Sequence, residues 1–396
     1  MPDRSPTSAG RLLLAVPATA TDLLPHLEAA WDGGPAILPL DPRLPLKRRS
    51  ALLAGVNPGA VVKPDGPVTL PFGVDVPDDV VAVVPTSGST GHPKAVMLTR
   101  HALEASVRRG LDRTDADPDV PWLCCLPVSH IAGLLVLLRG IVTGTPAILH
   151  DTFDPDRIAA LDQPVHLAVV PTMLRRLVAA GVAPDRHTTV LVGGARVPEV
   201  LRQQVPHLTA TYGMTETAGG CVYDGIPLAG VEVSESDAGR LVIGGPTVMA
   251  GYHLPGAGVH GDGIGLTPDG RFETEDVGRV APDGTVEVLG RADDVIITGG
   301  EKVVAAQVAA RIEEHPAVVE AVVIGVPDEE WGQRVVAVVV PAQVGAILSL
   351  ALLRSFVADA MPRYAAPQDL VVTNTLPRLP NGKLDRQNLV RSVADR

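Results

Sequence analysis

The sequence predicts an α/β protein with a large N-terminal domain of layered α/β subdomains plus a β-rich subdomain, and a small C-terminal α+β domain. Two patterns favour this fold class. Apolar runs of strand length alternate with helix-like stretches up to about residue 225, and short strands, turns and a compact α/β unit follow. A length of 396 residues also exceeds one ordinary core, so two or more domains are expected.

The first 80 residues or so have the pattern of short βα units separated by Pro and Gly. The run VVAVVP, which ends at Pro85, is continuously apolar, as in a strand buried on both faces of a sheet. Later strand-like runs are WLCCLPV, TPAILH, HLAVVP and TTVLVGGA, with helix-like RIAALDQ and PTMLRRLVAAG between them. This alternation indicates a largely parallel sheet covered by helices.

Beyond residue 225 the pattern becomes that of short strands and turns, in RLVIGGPTVMAGY and VGRVAPDGTVEVLGR, where Asp283-Gly284 is a hairpin signal. From about residue 294 we expect a helix over 305–314, strands in AVVEAVVIGV and RVVAVVV, and a helix near 348–360. We place the domain boundary at Arg291–Asp294. The predicted domains are therefore residues 1–290 and 295–396, joined by 291–294.

The composition is that of a packed globular protein, with 46% hydrophobic and 20% charged residues. Its 33 basic and 45 acidic residues give a net charge of −12, which repels nucleic acid and anionic membrane surfaces. A polyanionic ligand must therefore be held by a few local cations and backbone amides. No apolar run reaches the ~20 residues that span a bilayer, so no membrane span is expected.

Three cysteines, Cys124, Cys125 and Cys221, have the spacing of neither a disulfide framework nor a metal site, and they fit a reducing compartment. We expect them to be buried small side chains. LLLAVPATA after Arg11 resembles a secretory signal, but it continues into LLPHLEAAW, which has helical periodicity. We therefore expect a cytoplasmic protein. The oligomeric state is not fixed, and a homodimer is left open.

The strongest local motif follows VVAVVP. It consists of Thr86, Ser87, Gly88, Ser89, Thr90, Gly91, His92, Pro93 and Lys94. Small residues let backbone N–H groups converge on phosphate oxygens, the hydroxyls add donors, and the lysine supplies a positive charge. The motif is not a Walker A loop. We interpret it as a phosphate loop that becomes ordered with ATP, the alternative being a Ser/Gly surface loop.

Two further motifs carry acidic groups. In Thr211-Tyr212-Gly213-Met214-Thr215-Glu216-Thr217 the tyrosine can stack on a purine, Thr215 can donate to a phosphate and Glu216 can hold Mg²⁺. A strand-end cap is the alternative for this motif. In Thr274-Glu275-Asp276-Val277-Gly278 a carboxylate can accept both ribose hydroxyls, or the segment is an ordinary acidic turn.

Two more motifs lie near the C-terminus. Gly290-Arg291-Ala292-Asp293-Asp294 precedes an apolar strand and the pair Gly299-Gly300, which permits close backbone approach. Pro380-Asn381-Gly382-Lys383-Leu384-Asp385 contains a tight Asn-Gly turn that projects Lys383 outward. Taken alone, this lysine is most simply a solvated surface residue.

The five motifs, in this order, resemble the adenylate-forming superfamily of acyl-CoA synthetases, peptide-synthetase adenylation domains and firefly luciferase. The resemblance covers about residues 81–390. It implies that ATP and Mg²⁺ activate a carboxylic acid as an acyl-adenylate, and that coenzyme A then accepts the acyl group. It also implies that the small C-terminal domain is mobile and rotates about Asp293 between the two half-reactions.

The resemblance also implies a role for each matching residue. Residues 86–94 are the phosphate loop, and Gly193, Gly194 and Ala195 form the adenine-side segment with Tyr212 on the base. Thr215 and Glu216 serve the phosphates and Mg²⁺, and Asp276 and Arg291 contact ribose and phosphate. Lys383 reaches the carboxylate and the α-phosphate during adenylation. Gly299 and Gly300 line the pantetheine tunnel after rotation. Ala95 departs from the glycine that many relatives have, and the chain is shortened before residue 81.

The acid is indicated by two segments. Leu126–Leu134 looks like the wall of the acyl pocket, with His130 at its end, although a histidine without substrate contact is the alternative. The run from Thr217 to Leu228 resembles the o-succinylbenzoate–CoA ligases of menaquinone biosynthesis. The expected substrate is 2-succinylbenzoate. Ligases for another aryl or medium-chain acid, an enzyme that loads a carrier protein, and a non-catalytic nucleotide-binding relative stay open as alternatives.

Overall fold

The computed structural model describes residues 10–86, 94–182, 188–205, 207–254, 265–343, 348–378 and 384–394. The chain divides into two compact units. The first takes in residues up to Val233 together with Val242–Glu273 and Pro282–Val286, and the second takes in Ser234–Leu241, Thr274–Ala281 and residues from Glu287 onward. A division into compact units does not show whether one part of the chain rotates about a hinge. The domains 1–290 and 295–396, with a hinge at 291–294, therefore stay a prediction.

The strands follow in chain order. They are β1 (Leu13–Pro17), β2 (Ala36–Leu40), β3 (Ala60–Lys63), β4 (Gly66–Thr69), β5 (Val80–Thr86), β6 (Lys94–Thr99), β7 (Trp122–Cys124), β8 (Ile148–Leu149), β9 (His166–Val169), β10 (Thr189–Val192), β11 (Leu208–Met214), β12 (Gly219–Tyr223), β13 (Ile226–Pro227), β14 (Glu232–Glu235), β15 (Arg240–Gly244), β16 (Gly251–Tyr252), β17 (Phe272–Val280), β18 (Val286–Arg291), β19 (Val295–Thr298), β20 (Glu301–Val304), β21 (Val318–Asp328), β22 (Gly332–Pro341) and β23 (Asp369–Val372).

The α-helices are listed in the same way. They are α1 (Ala20–Trp31), α2 (Leu46–Val56), α3 (Arg100–Thr114), α4 (Ile131–Thr143), α5 (Pro155–Ala159), α6 (Pro171–Ala179), α7 (Glu199–Gln204), α8 (Ala305–Glu313), α9 (Leu350–Ala358) and α10 (Arg386–Ala394). Short 3-10 turns cover Thr215–Thr217, Ala292–Asp294 and Arg363–Ala365. None of the helices in the described part of the chain is long and apolar enough to cross a membrane.

The first unit contains two seven-stranded sheets, in the orders β16-β6-β5-β2-β1-β3-β4 and β13-β12-β11-β10-β9-β7-β8. The central strands of each are parallel, as predicted. The prediction of a largely parallel sheet needs correction at the edges, where β4, β6, β12, β13 and β16 run antiparallel to their neighbours. β6 follows β5 after a short connection, and a connection of that length can join only antiparallel strands.

The apolar runs form the predicted strands because they are buried. All five residues from Val80 to Val84 are inaccessible to solvent or nearly so, and β9 and β10 are buried throughout. The predicted helix in RIAALDQ begins earlier and is short. Asp154 caps it by accepting a hydrogen bond from the backbone N–H of Asp156 at 3.0 Å, and Pro155 takes the first helical position, where no N–H is needed.

The second unit is built around a sheet in the order β20-β19-β22-β21, with β23 paired to β22. Helices α8 and α9 match the predicted helices over 305–314 and near 348–360, and both bury apolar side chains against this sheet. A further four-stranded sheet has the order β14-β15-β17-β18. The predicted turn at Asp283-Gly284 is confirmed: Gly284 has a φ of +86°, and Asp283 Oδ1 accepts a hydrogen bond from the Thr285 N–H at 2.9 Å.

Candidate active site

Two of the predicted phosphate-binding groups converge on one aromatic side chain in the first unit. The hydroxyl of Tyr252 donates a hydrogen bond to Glu216 Oε1 at 3.0 Å. The ammonium of Lys94 lies 4.9 Å from the centre of the same ring, within the range of a cation–π interaction. The three residues therefore bring a cation and a carboxylate to one place, a combination of charges suited to a magnesium–nucleotide complex.

Strand pairing explains how these residues meet. Lys94 begins β6, and Tyr252 lies on β16, which pairs antiparallel with β6 so that Tyr252 is opposite Val96. The backbone N–H of Met249 donates to the carbonyl oxygen of Glu216 at 2.9 Å. The chain before β16 thus holds the turn that carries Glu216, and Tyr252 itself is only 8% exposed.

The turn that presents Glu216 is held by Thr217. Its hydroxyl accepts a hydrogen bond from the Met214 N–H at 2.9 Å and donates to the carbonyl oxygen of Gly219 at 2.8 Å. Ala218 then takes a left-handed conformation with φ +48°. Thr215 lies on the same 3-10 turn and is partly exposed. This arrangement is a strand-end cap, the alternative considered for the motif, and it also fixes the direction of the Glu216 side chain.

Gly213 has a packing reason for being glycine. A Cβ atom placed there would lie 2.0 Å from the carbonyl oxygen of Gly219, because β11 and β12 cross closely after a bulge at Tyr212. Gly219 is restricted in turn, since its own Cβ would lie 2.3 Å from the Leu135 side chain. The contact of Gly213 with nucleotide stays a prediction.

The predicted adenine-side residues follow the carboxyl end of β10. Gly193 donates its N–H to the carbonyl oxygen of Val169 at 3.2 Å, and a Cβ on it would lie 2.5 Å from Thr211 Oγ1. Gly194 has φ +80°, and Ala195 is exposed. β10 is parallel to β11, which carries Tyr212, so the four predicted residues lie at the same edge of the sheet, where parallel sheets bind ligands.

The phosphate-loop motif is described only at its two ends. Thr86 ends β5 opposite Lys94, and its hydroxyl lies 3.4 Å from the Lys94 carbonyl oxygen, to which it donates. Ser87, Gly88, Ser89, Thr90 and Gly91 lie outside the described residues, as does Lys383. Their roles stay predictions.

His130 occupies the N-cap position of α4 and is exposed. It lies close enough to Asp41, after β2, for the two charges to interact. A hydrogen bond from the Arg43 guanidinium lowers the pKa of the Asp41 carboxyl below its ordinary value, and the charge of His130 acts in the same direction. Asp41 is therefore an ionised neighbour of His130 that the sequence alone did not indicate.

The second unit holds the remaining predicted contacts. Arg291 lies 3.5 Å from the Asp276 carboxylate and 3.2 Å from that of Asp293. Thr274 Oγ1 accepts a hydrogen bond from the Asp276 N–H at 3.0 Å, and the Asp276 side chain is only 14% exposed. Asp276 and Arg291, predicted on separate motifs, are therefore neighbours in space.

Gly299 and Gly300 form the two-residue turn between β19 and β20. Both have positive φ, +57° and +83°, which such tight hairpin turns require. Gly299 donates its N–H to the carbonyl oxygen of Trp331 at 2.9 Å, and a Cβ on it would lie 2.9 Å from the Trp331 ring. The predicted close backbone approach is thus found, with an indole as the partner. A contact with coenzyme A stays a prediction.

The three cysteines are free and buried, as predicted. Burial raises the pKa of each thiol to about 12, so thiolate chemistry is suppressed at neutral pH. In the described part of the chain, no three His, Cys, Asp or Glu side chains come together as metal ligands.

Comparison with known proteins identifies the family to which the chain belongs. The AMP-binding enzyme family matches residues 67–253, and the AMP-binding enzyme C-terminal domain matches residues 307–383. A probable 2-succinylbenzoate–CoA ligase of Mycobacterium tuberculosis is 38% identical over 87% of this chain and 93% of its own length. This chain belongs to the AMP-binding enzyme family. The resemblance to the adenylate-forming superfamily is therefore confirmed, and with it the expectation of an AMP-forming ligase.

A further relative agrees in sequence, and two solved structures agree in fold. The 2-succinylbenzoate–CoA ligase of Listeria monocytogenes is 31% identical over 78% of this chain and 69% of its own length. ATP-bound MatB from Rhodopseudomonas palustris has a TM-score of 0.83 at 24% identity, covering 98% of this chain and 90% of that chain. The o-succinylbenzoate CoA synthetase of Bacillus subtilis, with its acyl-adenylate intermediate, has a TM-score of 0.79 at 24% identity, covering 96% and 88%. The predicted fold class is confirmed.

The sequence predicted most residues of the candidate site, but it did not indicate Tyr252 or Asp41. Tyr252 lies in the run RLVIGGPTVMAGY, whose pattern predicts only short strands and turns. The available signal was its rarity, because the chain has four tyrosines among 396 residues. Its contact with Glu216 spans 36 positions in the sequence, and no local pattern encodes such a pairing.

Proposed function

We propose that this protein is an acid–CoA ligase that converts 2-succinylbenzoate to its acyl-adenylate with ATP, and then to 2-succinylbenzoyl-CoA. Membership of the AMP-binding family supports the reaction type. The substrate is supported by relatives of that name that are 30–38% identical over most of the chain. The observation that carries the proposal is the convergence of Lys94 and Glu216 on Tyr252.

In the first half-reaction a carboxylate oxygen attacks the α-phosphorus of ATP, the bond to pyrophosphate breaks, and pyrophosphate leaves. Two anions meet, and the phosphorus gathers further negative charge. Lys94 and the N–H groups of residues 86–94 offset the charge of the phosphates, and Lys383 offsets the charge at the reacting centre. Removing one such preorganised charge typically costs on the order of 10²–10³ in rate.

The residues present fit a magnesium ion. Mg²⁺ prefers oxygen ligands and is commonly held by one or two carboxylates together with substrate phosphates. Glu216 supplies a partly exposed carboxylate oriented by Tyr252. Bound there, Mg²⁺ would neutralise phosphate charge as a Lewis acid. The role of Tyr252 is then to hold the Glu216 carboxylate in position while no nucleotide is bound.

The nucleoside is held by the other predicted groups. We assign Tyr212, Gly193, Gly194 and Ala195 to the adenine and Asp276, close to Arg291, to the ribose hydroxyls. In the second half-reaction the thiol of coenzyme A attacks the acyl carbon, the bond from acyl carbon to phosphate oxygen breaks, and AMP leaves. Lys383 is not needed for this step and would obstruct it, so a rotation about Asp293 that removes it serves both steps.

The acid is tested with a substrate panel. Purified protein with ATP, Mg²⁺ and coenzyme A is offered 2-succinylbenzoate, other aryl acids and medium-chain acids, and thioester and AMP are measured together. We expect equal amounts of both from 2-succinylbenzoate and much less from the rest. Thioester only from another acid would overturn the substrate and keep the reaction type, whereas nucleotide binding without AMP from any acid would indicate a non-catalytic relative.

We further propose a cytoplasmic location. The support is the presence of three buried free thiols, a cysteine usage typical of reducing compartments. Fractionation of the native cells, with the protein followed by antibody, tests this directly.

A further inference from the structure

The second unit contains a salt bridge between Arg386 and Asp294, the last residue of the predicted hinge. Arg386 Nη2 lies 3.0 Å from Asp294 Oδ2. Asp294 is the last residue of the 3-10 turn Ala292–Asp294, and Arg386 is the first residue of α10. The bridge therefore links the segment proposed as the hinge to the chain three residues beyond Lys383.

Helix stability does not account for Arg386. Asp385 already caps α10, because its Oδ1 accepts a hydrogen bond from the Asn388 N–H at 3.1 Å. Leu389 and Val393 anchor the helix in an apolar cluster with residues of β21 and β22. A cation at the first position of a helix also opposes the helix dipole. The arginine side chain must therefore be explained by what it contacts.

The described residues on either side of 379–383 are joined to each other. Arg378 and Leu384 form an antiparallel bridge, and the Asp385 N–H donates to the carbonyl oxygen of Pro377 at 2.9 Å. Arg378 also pairs with Glu320 of β21. Because Arg386 directly follows Leu384 and Asp385, a displacement of Arg386 displaces this joined pair of segments, between which Lys383 lies in the sequence.

The predicted hinge segment is also held by ion pairs. Arg291, just before the turn, pairs with Asp293 at 3.2 Å and lies 3.5 Å from Asp276. The Asp294 side chain is only 18% exposed, and burial raises the pKa of its carboxyl, while the charge of Arg386 and, less strongly, that of Arg291 act against this. Removing Arg386 therefore leaves a poorly solvated carboxylate beside the hinge, an arrangement that favours rearrangement of this turn.

We propose that Arg386 is a positioning residue for acyl-adenylate formation, and that through Asp294 it fixes the base of the Lys383 segment relative to residues 291–294. The inference rests on the proposed function, in which Lys383 acts in the first half-reaction only. It requires that loss of the bridge impair adenylation far more than thioester formation.

The test measures the two half-reactions separately in the full-length protein. ATP–pyrophosphate exchange with 2-succinylbenzoate reports adenylation, and thioester formation from supplied acyl-adenylate and coenzyme A reports the second step. Arg386→Gln should lower exchange on the order of 10- to 100-fold while changing the second step by less than about threefold. Asp294→Asn should lower exchange similarly, and the double variant should show no further loss.

Rescue and a matched control separate position from folding. Arg386→Lys should keep most of the exchange activity, and the charge-swapped pair Arg386→Asp with Asp294→Arg should regain part of what either single change loses. If Arg386→Gln unfolds in a melting experiment, these two variants carry the test. Arg391→Gln is the control, because Arg391 is exposed and lies on the same helix and the same 440 Å³ cleft as Arg386, and it should leave both steps unchanged.

Several outcomes contradict the inference. An equal fall in both half-reactions, or unchanged exchange in a folded Arg386→Gln variant, overturns it while leaving the proposed function intact. A charge-swapped pair that is no better than the single variants also overturns it. A wild-type protein that makes no acyl-adenylate from any acid overturns the proposed function, and this inference falls with it.

Discussion

Replacing Tyr252 by Phe isolates one atom of the proposed nucleotide site. The substitution removes the hydroxyl that donates to Glu216 Oε1 at 3.0 Å but keeps the ring beneath the Lys94 ammonium. Hydrogen bonds to charged groups contribute about 1.5–3 kcal/mol. Tyr252 is only 8% exposed, but its partner Glu216 is partly exposed. We expect the lower end of this range, about a tenfold loss in kcat/KM for adenylation, since water can replace the hydroxyl in part.

The assay is ATP–pyrophosphate exchange as a function of Mg²⁺ concentration. Because Tyr252 orients the carboxylate proposed to hold the metal, the variant should also need more Mg²⁺ for half-maximal exchange. Tyr223→Phe is a matched control, because Tyr223 is also a buried tyrosine and interacts with Arg139. Loss of the Tyr223 hydroxyl should lower the melting temperature without changing the Mg²⁺ requirement. A Tyr252→Phe enzyme with normal exchange and normal Mg²⁺ dependence refutes the assignment of Tyr252.

Three other predictions concern Lys383, Gly213 and two buried histidines. Lys383→Ala should lower the rate of adenylate formation on the order of 10²-fold or more while sparing thioester formation from supplied adenylate. An equal loss in both steps contradicts the role of Lys383. Gly213→Ala should lower the free energy of unfolding by roughly 1–3 kcal/mol and abolish exchange, since its Cβ would lie 2.0 Å from the Gly219 oxygen; a normal melting curve contradicts this. Burial lowers the pKa of His166 and His253 from 6.5, so the unfolded chain binds protons that the folded protein does not. The free energy of unfolding should therefore fall as the pH drops below about 6.5, by at most about 1.4 kcal/mol per pH unit for each histidine. Denaturant titrations at several pH values should give a free energy of unfolding that depends less on pH in this range for His253→Gln than for the wild-type protein.

Local patterns predicted the elements whose formation depends on nearby residues. The strand ending at Pro85, the turn at Asp283-Gly284 and helix α8 are encoded by apolar runs, turn residues and helical periodicity within about ten positions. The antiparallel edge strand β16 could not be predicted, because its pairing with β6 joins segments about 155 residues apart. Pairing at that distance depends on which edge is left uncovered after the parallel strands assemble.

The residues of the candidate site also fall into two groups, those that local motifs predict and those that they do not. Glu216, Asp276 and Arg291 were predicted because their residue types occur in motifs with a recognisable chemistry. Tyr252 donates a hydrogen bond to Glu216, and Asp41 interacts electrostatically with His130. Both partners lie in distant parts of the chain, and nothing in the sequence around Tyr252 or Asp41 indicates the interaction. The salt bridge between Asp294 and Arg386 was missed for the same reason, although both residues lie within or next to the motifs.

The central claim is that a carboxylate oxygen of the acid becomes bonded to the α-phosphorus of ATP. The most direct measurement uses 2-succinylbenzoate labelled with ¹⁸O in its carboxylates, with ATP, Mg²⁺ and coenzyme A, and mass spectrometry of the nucleotide product. Acyl transfer to the thiol breaks the bond between the acyl carbon and the bridging oxygen, so we predict AMP that carries one labelled oxygen. Unlabelled AMP, or ADP with labelled phosphate, would contradict the account.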